Sequence, residues 1–448
     1  MARSASLSGY LELLPEERLV ELHVLDTLRQ VFESHGFASI ESRAVETMET
    51  LLGKGEVDKE VYAVSRIHAD DAAKESKLAL HFDLTVPFAR YVVENAGYLA
   101  FPFRRYQIQK VWRGERPQAG RFREFTQADV DIVGDGALPF RADVELAVVI
   151  ARALEALKIG DFQLRINNRK LSQGFYTALG LQDAPAVLRI VDKLEKIGAD
   201  RVKQELAETL GATAEQSAAA LALAQIRTED VSFADKVRAL VPGEAPTELM
   251  EEGLAELTEV ISALNERVPG RAVADLSIAR GLDYYTGTVY ETVLFGHESL
   301  GSICSGGRYE SLATKGKKTY PGVGLSIGVT RLVSALIGSG ALSASRSVPA
   351  AVYVTLRSDA DWSAAEDVAD QLRARGISAE VAFSAEKFGK QIKYADRRGI
   401  PFVWFTDDEG RHQVKDIRTG DQVDADPAAW TPAPEDLAPR IIGNTDAA

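Results

Sequence analysis

Val111-Trp-Arg-Gly-Glu-Arg-Pro-Gln-Ala-Gly-Arg-Phe-Arg-Glu-Phe125 is the stretch on which the fold turns. The residues before it, from Tyr106 to Trp112, and after it, from Phe125 to Val133, alternate or run apolar in the manner of strands. Pro117 and Gly120 make a loop between them. The stretch therefore reads as a hairpin, with Arg113 at the end of one strand and Arg121 and Arg123 at the start of the next. Guanidinium forks grip phosphate oxygens bidentately, so such a hairpin can hold a triphosphate. Glu115 can accept from an exocyclic amine, and Phe125 can stack on a base. Seen in isolation, the same stretch is a basic surface hairpin.

Upstream, Leu19, Leu22, Leu25, Leu28 and Phe32 recur at helical spacing between Pro15 and His35, and Gly36 is placed to end that helix. Strand-like runs follow at Phe37 to Ile40 and Leu78 to Phe82. Leu84 to Ala96 reads as a helix with Pro87 in its first turn. Downstream, residues 171–268 are rich in Ala, Leu, Glu and Lys and read as a helical insertion, and strand patterning returns at Ala272. The small, polar run from Gly338 to Ser347 reads as a linker. Beyond it, strand and helix patterns alternate from Ala350 to Phe405, which predicts a small parallel or mixed sheet covered by helices. The expected organisation is a first domain of residues 1–170 and 269–337, an insertion at 171–268, a linker at 338–348, a second α/β domain at 349–430 and a flexible tail at 431–448.

The chain has 448 residues, enough for two to four domains, with 46% hydrophobic and 26% charged residues as in ordinary globular proteins. No apolar run approaches the roughly 20 residues that cross a bilayer, and no secretory signal is visible at the N-terminus. Cys304 is the single cysteine, which excludes an intrachain disulfide and a multi-Cys zinc site. A cytoplasmic protein is the expectation. The net charge of -14 argues against indiscriminate nucleic-acid binding, yet two basic islands stand out. One sets Arg104, Arg105, Lys110, Arg113, Arg116, Arg121 and Arg123 against Glu115 and Glu124; the other sets Lys387, Lys390, Lys393, Arg397 and Arg398 against Glu386 and Asp396. Localised contact with polyanions and plain solvated faces both fit them.

The sequence holds no Walker phosphate loop, no G-x-S-x-G elbow and no His pair at metal spacing, so no metal site built from His or Cys is expected. Phosphate handling falls to arginines. Ala279-Arg-Gly-Leu-Asp-Tyr-Tyr-Thr-Gly-Thr-Val-Tyr-Glu291 puts Arg280, Asp283, Tyr284 and Tyr285 among apolar strand residues, where charges are rare unless paired or used. Cys304-Ser-Gly-Gly-Arg-Tyr309 places two glycines where backbone turns tightly or admits a ligand, and Gly322-Val-Gly-Leu-Ser-Ile-Gly-Val-Thr-Arg-Leu332 sets Arg331 in a strand-to-helix segment. Gln127, Asp129 and Asp131 share one strand face by period two; with Asp83 and Thr85 they can hold an ammonium and an imidazole, or form a polar outer face.

Taken together and in this order, these segments resemble the histidyl-tRNA synthetases, members of the class II aminoacyl-tRNA synthetases. The resemblance runs through nearly the whole chain. Its most specific element is Arg280-Gly-Leu-Asp-Tyr-Tyr-Thr-Gly-Thr-Val-Tyr-Glu291, with Ser305-Gly-Gly-Arg-Tyr309 as its second half; Arg113 to Phe125 resembles motif 2 and Gly322 to Leu332 motif 3. The resemblance implies an α/β multidomain protein: an antiparallel catalytic sheet with a helical insertion, a C-terminal α/β anticodon-binding domain, and a homodimer. It implies that ATP, with Mg2+, activates histidine, which is then loaded onto its tRNA.

By the same carry-over, Asp83, Thr85 and Gln127 hold the α-amino group, Asp131 and Tyr285 read the imidazole, and Tyr284 lines the pocket. Arg113 and Arg280 grip the α-phosphate as catalytic residues, Arg121 and Arg331 meet the outer phosphates, and Glu115 and Phe125 bind adenine. Arg116 and Gln118 approach the tRNA acceptor end, and Lys387 and Lys390 lie near the anticodon stem. The chain departs from the family pattern at Arg43, where motif 1 usually has proline, and at Thr330, where motif 3 usually has an acidic residue; Asp83-Leu-Thr85 replaces a Glu-containing version. The runner-up is a synthetase-like regulatory subunit of ATP phosphoribosyltransferase, expected to lack the second domain and to have eroded arginines. A class II synthetase for another amino acid and a catalytically idle tRNA-binding module are the remaining readings.

Overall fold

The computed structural model describes residues 7–52, 60–67, 77–118, 120–241, 247–278 and 284–443. The chain divides into two compact units, one of Met1–Leu11 with Val24–Ala335 and the other of Glu12–His23 with Leu336–Ala448.

The first unit is built on a nine-stranded sheet. Its strands in chain order are β1 (Ala38–Ser39), β2 (Phe103–Trp112), β3 (Glu124–Val133), β4 (Phe162–Asn168), β5 (Arg227–Thr228), β6 (Ala272–Asp275), β7 (Tyr285–Leu294), β8 (Cys304–Lys315) and β9 (Lys318–Gly328). Their order across the sheet is β1-β2-β3-β9-β8-β7-β4-β6-β5. The five central strands from β2 to β7 pair antiparallel, and parallel pairing is confined to β1 with β2 and β4 with β6. The hairpin read from the sequence is the β2–β3 pair, with Val111 opposite Phe125 and Arg105 opposite Asp131.

Helix α1 (Pro15–Ser34) ends at Gly36, whose φ of +79° is the left-handed conformation that glycine adopts without a Cβ clash. Helix α2 (Thr85–Asn95) carries Pro87 in its first turn, where a missing N–H leaves no ladder bond broken. Helix α3 (Arg141–Ala156) buries Leu146, Val149, Ile150 and Leu154. Helix α4 (Arg169–Ala178) is capped by Asn168, whose side chain accepts from the Lys170 and Leu171 N–H groups, and it packs on α5 (Glu248–Arg267). The insertion is helical, as its composition predicts, with one exception. Arg227–Thr228 adds β5 to the sheet edge beside β6, and two residues are too few to show a period in sequence.

The second unit holds a five-stranded mixed sheet. Its strands are β10 (Val352–Val354), β11 (Ala379–Val381), β12 (Phe402–Thr406), β13 (His412–Asp416) and β14 (Gln422–Asp424), ordered β11-β10-β12-β13-β14. β10 runs parallel to both neighbours, and the remaining pairs are antiparallel. Helices α7 (Trp362–Ala374) and α8 (Phe388–Arg398) follow β10 and β11, after α6 (Val329–Gly338) has closed the first unit's motif. Val352, Val354, Val368, Leu372, Val403 and Trp404 form the apolar centre of this unit.

Two expectations need correction. Leu342–Ala344, inside the stretch read as a linker, pairs antiparallel with Ile441–Gly443, inside the stretch read as a flexible tail. Each strand has three residues, and they lie about a hundred positions apart, so neither shows a periodicity that would reveal its partner. The guanidinium of Arg346 in the same linker is buried, donating to the carbonyls of Val348 and Pro349.

Candidate active site

Antiparallel register brings the polar residues of four strands onto one face. The rung Arg105–Asp131–Gly324–Gly307 crosses β2, β3, β9 and β8; the next rung is Gln107–Asp129–Ser326–Ser305. Two openings lie on this face, and they share Ser305 and Ser326.

The larger is a cleft of about 610 Å³, its mouth included, lined by Arg113, Glu115, Arg121, Phe125, Gln127 and Arg331 among others. The Nε of Arg113 donates to the Phe82 carbonyl at 2.9 Å, and its guanidinium lies 5.2 Å from the centre of the Phe125 ring. Those two contacts aim the fork. Glu115 stands 3.7 Å from Arg113 and 3.4 Å from Arg121. Arg331, at the start of α6, is anchored by Nε to the Gly120 carbonyl at 2.8 Å and by Nη1 to the Ser302 carbonyl at 2.9 Å. Burial, together with the nearby Arg121 and Arg113, holds its guanidinium below the usual arginine range. Three arginines converge around one carboxylate, which leaves net positive charge for a polyanion. Thr330 accepts from the Thr126 N–H at 2.8 Å, so the residue that departs from the motif fastens α6 to β3.

The smaller pocket, about 220 Å³, is lined by Thr85, Asp129, Asp131, Tyr285, Tyr309 and Gly324 among others. Asp83, just before α2, accepts from the Val86 N–H at 3.1 Å, and burial lifts its carboxyl to about 6. Asp131 lies 2.8 Å from Arg105 and accepts from the Tyr309 hydroxyl at 3.0 Å; burial raises its pKa despite that cation. Gln127 donates to Ser326 at 2.9 Å. Tyr284 packs edge-on against Tyr285 at 5.0 Å and Tyr309 at 6.3 Å. Burial pushes both the Tyr284 and Tyr285 phenols up, so each stays a protonated donor. The glycines are steric necessities: a Cβ on Gly324 would lie 2.1 Å from Asp131 Oδ1, and one on Gly307 would lie 2.7 Å from the Thr288 carbonyl. The bare backbone there is filled by the Asp131 carboxylate at Gly324 and by Thr288 and Tyr285 at Gly307. Among the described residues no three His, Cys, Asp or Glu side chains come together as a metal site.

The structure thus gathers Asp83, Thr85, Arg113, Gln127, Asp131, Tyr284, Tyr285, Glu115, Arg121, Phe125 and Arg331 around two connected openings. Arg280 lies outside the described residues, as does Asp283. Arg116 and Gln118 are exposed in the β2–β3 loop, where Gln118 and Arg121 bond through their backbones. Lys387 and Lys390 are exposed at the start of α8 in the second unit, and Lys390 pairs with Glu386 at 2.5 Å.

Arg105, read from the sequence only as part of a basic island, and Tyr309 and Ser326, quoted only within glycine-rich motifs, were given no site role there, although period two along β2 already puts Arg105, Gln107 and Gln109 on a single face. Arg43, the motif 1 departure, pairs at 2.9 Å with the buried Glu46, which Arg90 also holds at 2.8 Å.

The histidyl-tRNA synthetase family model matches residues 9–332, and an anticodon binding domain model matches residues 352–429. The histidine–tRNA ligase of Micrococcus luteus is 66% identical over 461 residues, covering 100% of both chains. That of Cutibacterium acnes is 58% identical, covering 99% of this chain and 100% of its own. The crystal structure of histidyl-tRNA synthetase from Nostoc sp. PCC 7120 superposes with a TM-score of 0.83 at 40% identity, over 95% of this chain and 97% of that one. An α/β catalytic domain followed by a C-terminal anticodon-binding domain is the architecture these matches carry, and the chain belongs to the histidyl-tRNA synthetase family.

Proposed function

We propose that the protein uses ATP to form histidyl-adenylate and then transfers histidine to the 3′ end of its tRNA. The observation that carries this reading is the junction of opposite electrostatics: a cleft lined by three arginines adjoins a pocket lined by two carboxylates, Asp129 and Asp131, with a third, Asp83, buried nearby, and the two openings share Ser305 and Ser326. An amino acid placed across that junction puts its ammonium and ring among carboxylates and its own carboxylate toward the arginines.

In the reaction the histidine carboxylate attacks the α-phosphorus of ATP and pyrophosphate leaves. Charge grows on the α-phosphoryl oxygens, and in this reading Arg113 meets it; its contacts with the Phe82 carbonyl and the Phe125 ring, which hold the guanidinium, support the role. Arg280 keeps the role that the resemblance gives it, on the other side of the same phosphate. Arg121 and Arg331 take the outer phosphates, while Glu115 and the Phe125 face take adenine. Mg2+ is read as part of the substrate, arriving on the nucleotide's phosphate oxygens and neutralising their charge. Asp83, Thr85 and Gln127 take the α-amino group, and Asp131, Tyr284 and Tyr285 surround the ring. In the second step a terminal ribose hydroxyl attacks the acyl carbon and AMP leaves, so no enzyme nucleophile is required. The acceptor end meets Arg116 and Gln118, and the anticodon stem meets Lys387 and Lys390. A cytoplasmic homodimer completes the reading.

The test separates the two steps. Arg113→Ala should lower histidine-dependent ATP–pyrophosphate exchange on the order of 100-fold or more, the scale of one lost donor to transition-state charge. The pair Lys387→Glu and Lys390→Glu should weaken tRNA charging and leave that exchange unchanged. Normal exchange in Arg113→Ala would overturn the assignment of the cleft.

A further inference from the structure

We infer that residues 7–10, remote in sequence from both openings, are a positioning element for the ATP cleft. They brace the β2–β3 loop that carries Glu115 and Arg121, and Gly9 is the residue on which the brace turns. The inference rests on the ATP-using reading of the cleft and gives that cleft a support outside its own lining.

The sheet alone does not hold the mouth of the hairpin. β9 pairs with β3 only from Gln127 to Val133, so Arg123 and Glu124 have no strand neighbour beyond β2. Gly9 supplies one. Its carbonyl accepts from the Arg123 N–H at 2.7 Å and from the Glu124 N–H at 3.3 Å, and Tyr10 forms a parallel bridge with Glu124. Arg123 in turn holds both arms of the hairpin: its carbonyl accepts from the Arg113 N–H at 2.8 Å, and its Nε donates to the Glu115 carbonyl at 3.2 Å. The line from Gly9 to the cleft therefore passes through one residue.

A side chain at position 9 would push on that line. Gly9 has a φ of +87°, and a Cβ there would lie 2.9 Å from Cγ of Pro117 and 2.9 Å from Cγ of Arg123. Carbon atoms pack at about 3.5–4.0 Å, so the neighbours would have to retreat by more than about half an ångström. The Pro117 ring is closed onto its own backbone nitrogen, so it retreats only by carrying the loop with it. The Arg123 stem swings clear only by giving up the Glu115 carbonyl. A further contact holds the brace in place: the Tyr10 phenol hydrogen-bonds Tyr62, two residues after Glu60, whose carbonyl accepts from the Gly114 N–H at 2.7 Å. The histidine pocket draws none of its lining from residues 7–10 or from the loop. A displaced loop should thus be felt by ATP and not by histidine.

The test uses full-length Gly9→Ala and Gly9→Val, with Gly36→Ala as the control. Gly36 has a φ of +79° and nothing within 4 Å of a Cβ, so its substitution carries the same backbone strain without pushing on a neighbour. KM for ATP and for histidine are measured by ATP–pyrophosphate exchange, the Kd of MgATP by calorimetric titration, and stability by thermal melts. Gly9→Ala should raise the ATP KM and the MgATP Kd on the order of 10-fold, below the roughly 100-fold that a 1 Å misplacement can cost, and Gly9→Val should raise them further. The histidine KM should stay at the wild-type value, and Gly9→Ala should melt no lower than Gly36→Ala. Wild-type ATP KM and MgATP Kd in both Gly9 variants would overturn the proposal. So would ATP and histidine KM rising together as the melting point falls, which marks general loosening, or an equal ATP effect in Gly36→Ala. Absence of histidine-dependent exchange in the wild type would overturn the activity reading instead, and the MgATP titration would still decide the brace.

Discussion

Arg308 and Arg105 are both buried arginines paired with a buried aspartate in the same unit, and they are satisfied to very different degrees. Arg308 donates Nη1 to Asp143, Nη2 to the Leu138 carbonyl and Nε to Glu310, each at 2.6 Å. Arg105 faces three carboxylates, lies 4.0 Å from the centre of the Phe88 ring, and comes within 2.8 Å of Asp131 without the alignment of a hydrogen bond. A guanidinium with all its nitrogens engaged is a finished piece of structure. One whose Nε, Nη1 and Nη2 are all buried without a hydrogen-bond partner marks a place where the set is still incomplete. Arg308 and Tyr309 are adjacent in β8 and, by strand alternation, face opposite ways, one toward the saturated pair and the other toward the pocket. One strand separates scaffold from site.

The largest expected effect lies on the saturated side. Arg308→Met strands Asp143, whose carboxyl burial already lifts to about 6, and should cost about 3–5 kcal/mol in denaturant unfolding. If stability barely changes, the contrast between the two pairs fails. Arg105→Met should instead act on function, lowering kcat/KM for histidine on the order of 100-fold, about 2.7 kcal/mol, with the ATP KM kept. Its stability loss should grow as pH rises through 6 and 7, where Asp83 and Asp129 give up their protons with no cation among them. Gly324→Ala forces a methyl against Asp131 and should cost about 1–3 kcal/mol while raising the histidine KM. The smallest effect is expected at Thr330→Val, which removes the acceptor for the Thr126 N–H and should cost about 1 kcal/mol in melting experiments.

Much of this was legible in the sequence because long strands and helices carry their period openly. The β2–β3 hairpin and α1 with its terminating Gly36 follow from spacing and turn residues, and the helices of residues 171–268 from composition. Arg113 and Arg121 were legible because they cluster along the chain around one loop, and Arg331 because a glycine-studded strand-to-helix segment carries it. Arg105 was not, since its role arises from a rung shared with Asp131, Gly324 and Gly307, residues from three other strands. Register is set by pairing, and a single strand does not display it. The Leu342–Ala344 pairing with Ile441–Gly443 was hidden for the same reason, compounded by strands too short to have a period.

The most direct measurement is ATP–pyrophosphate exchange with each of the amino acids in turn, followed by charging of total tRNA. The account predicts exchange with histidine alone and histidine on the tRNA. Exchange with a different amino acid, or saturable histidine binding with no exchange at all, would contradict it.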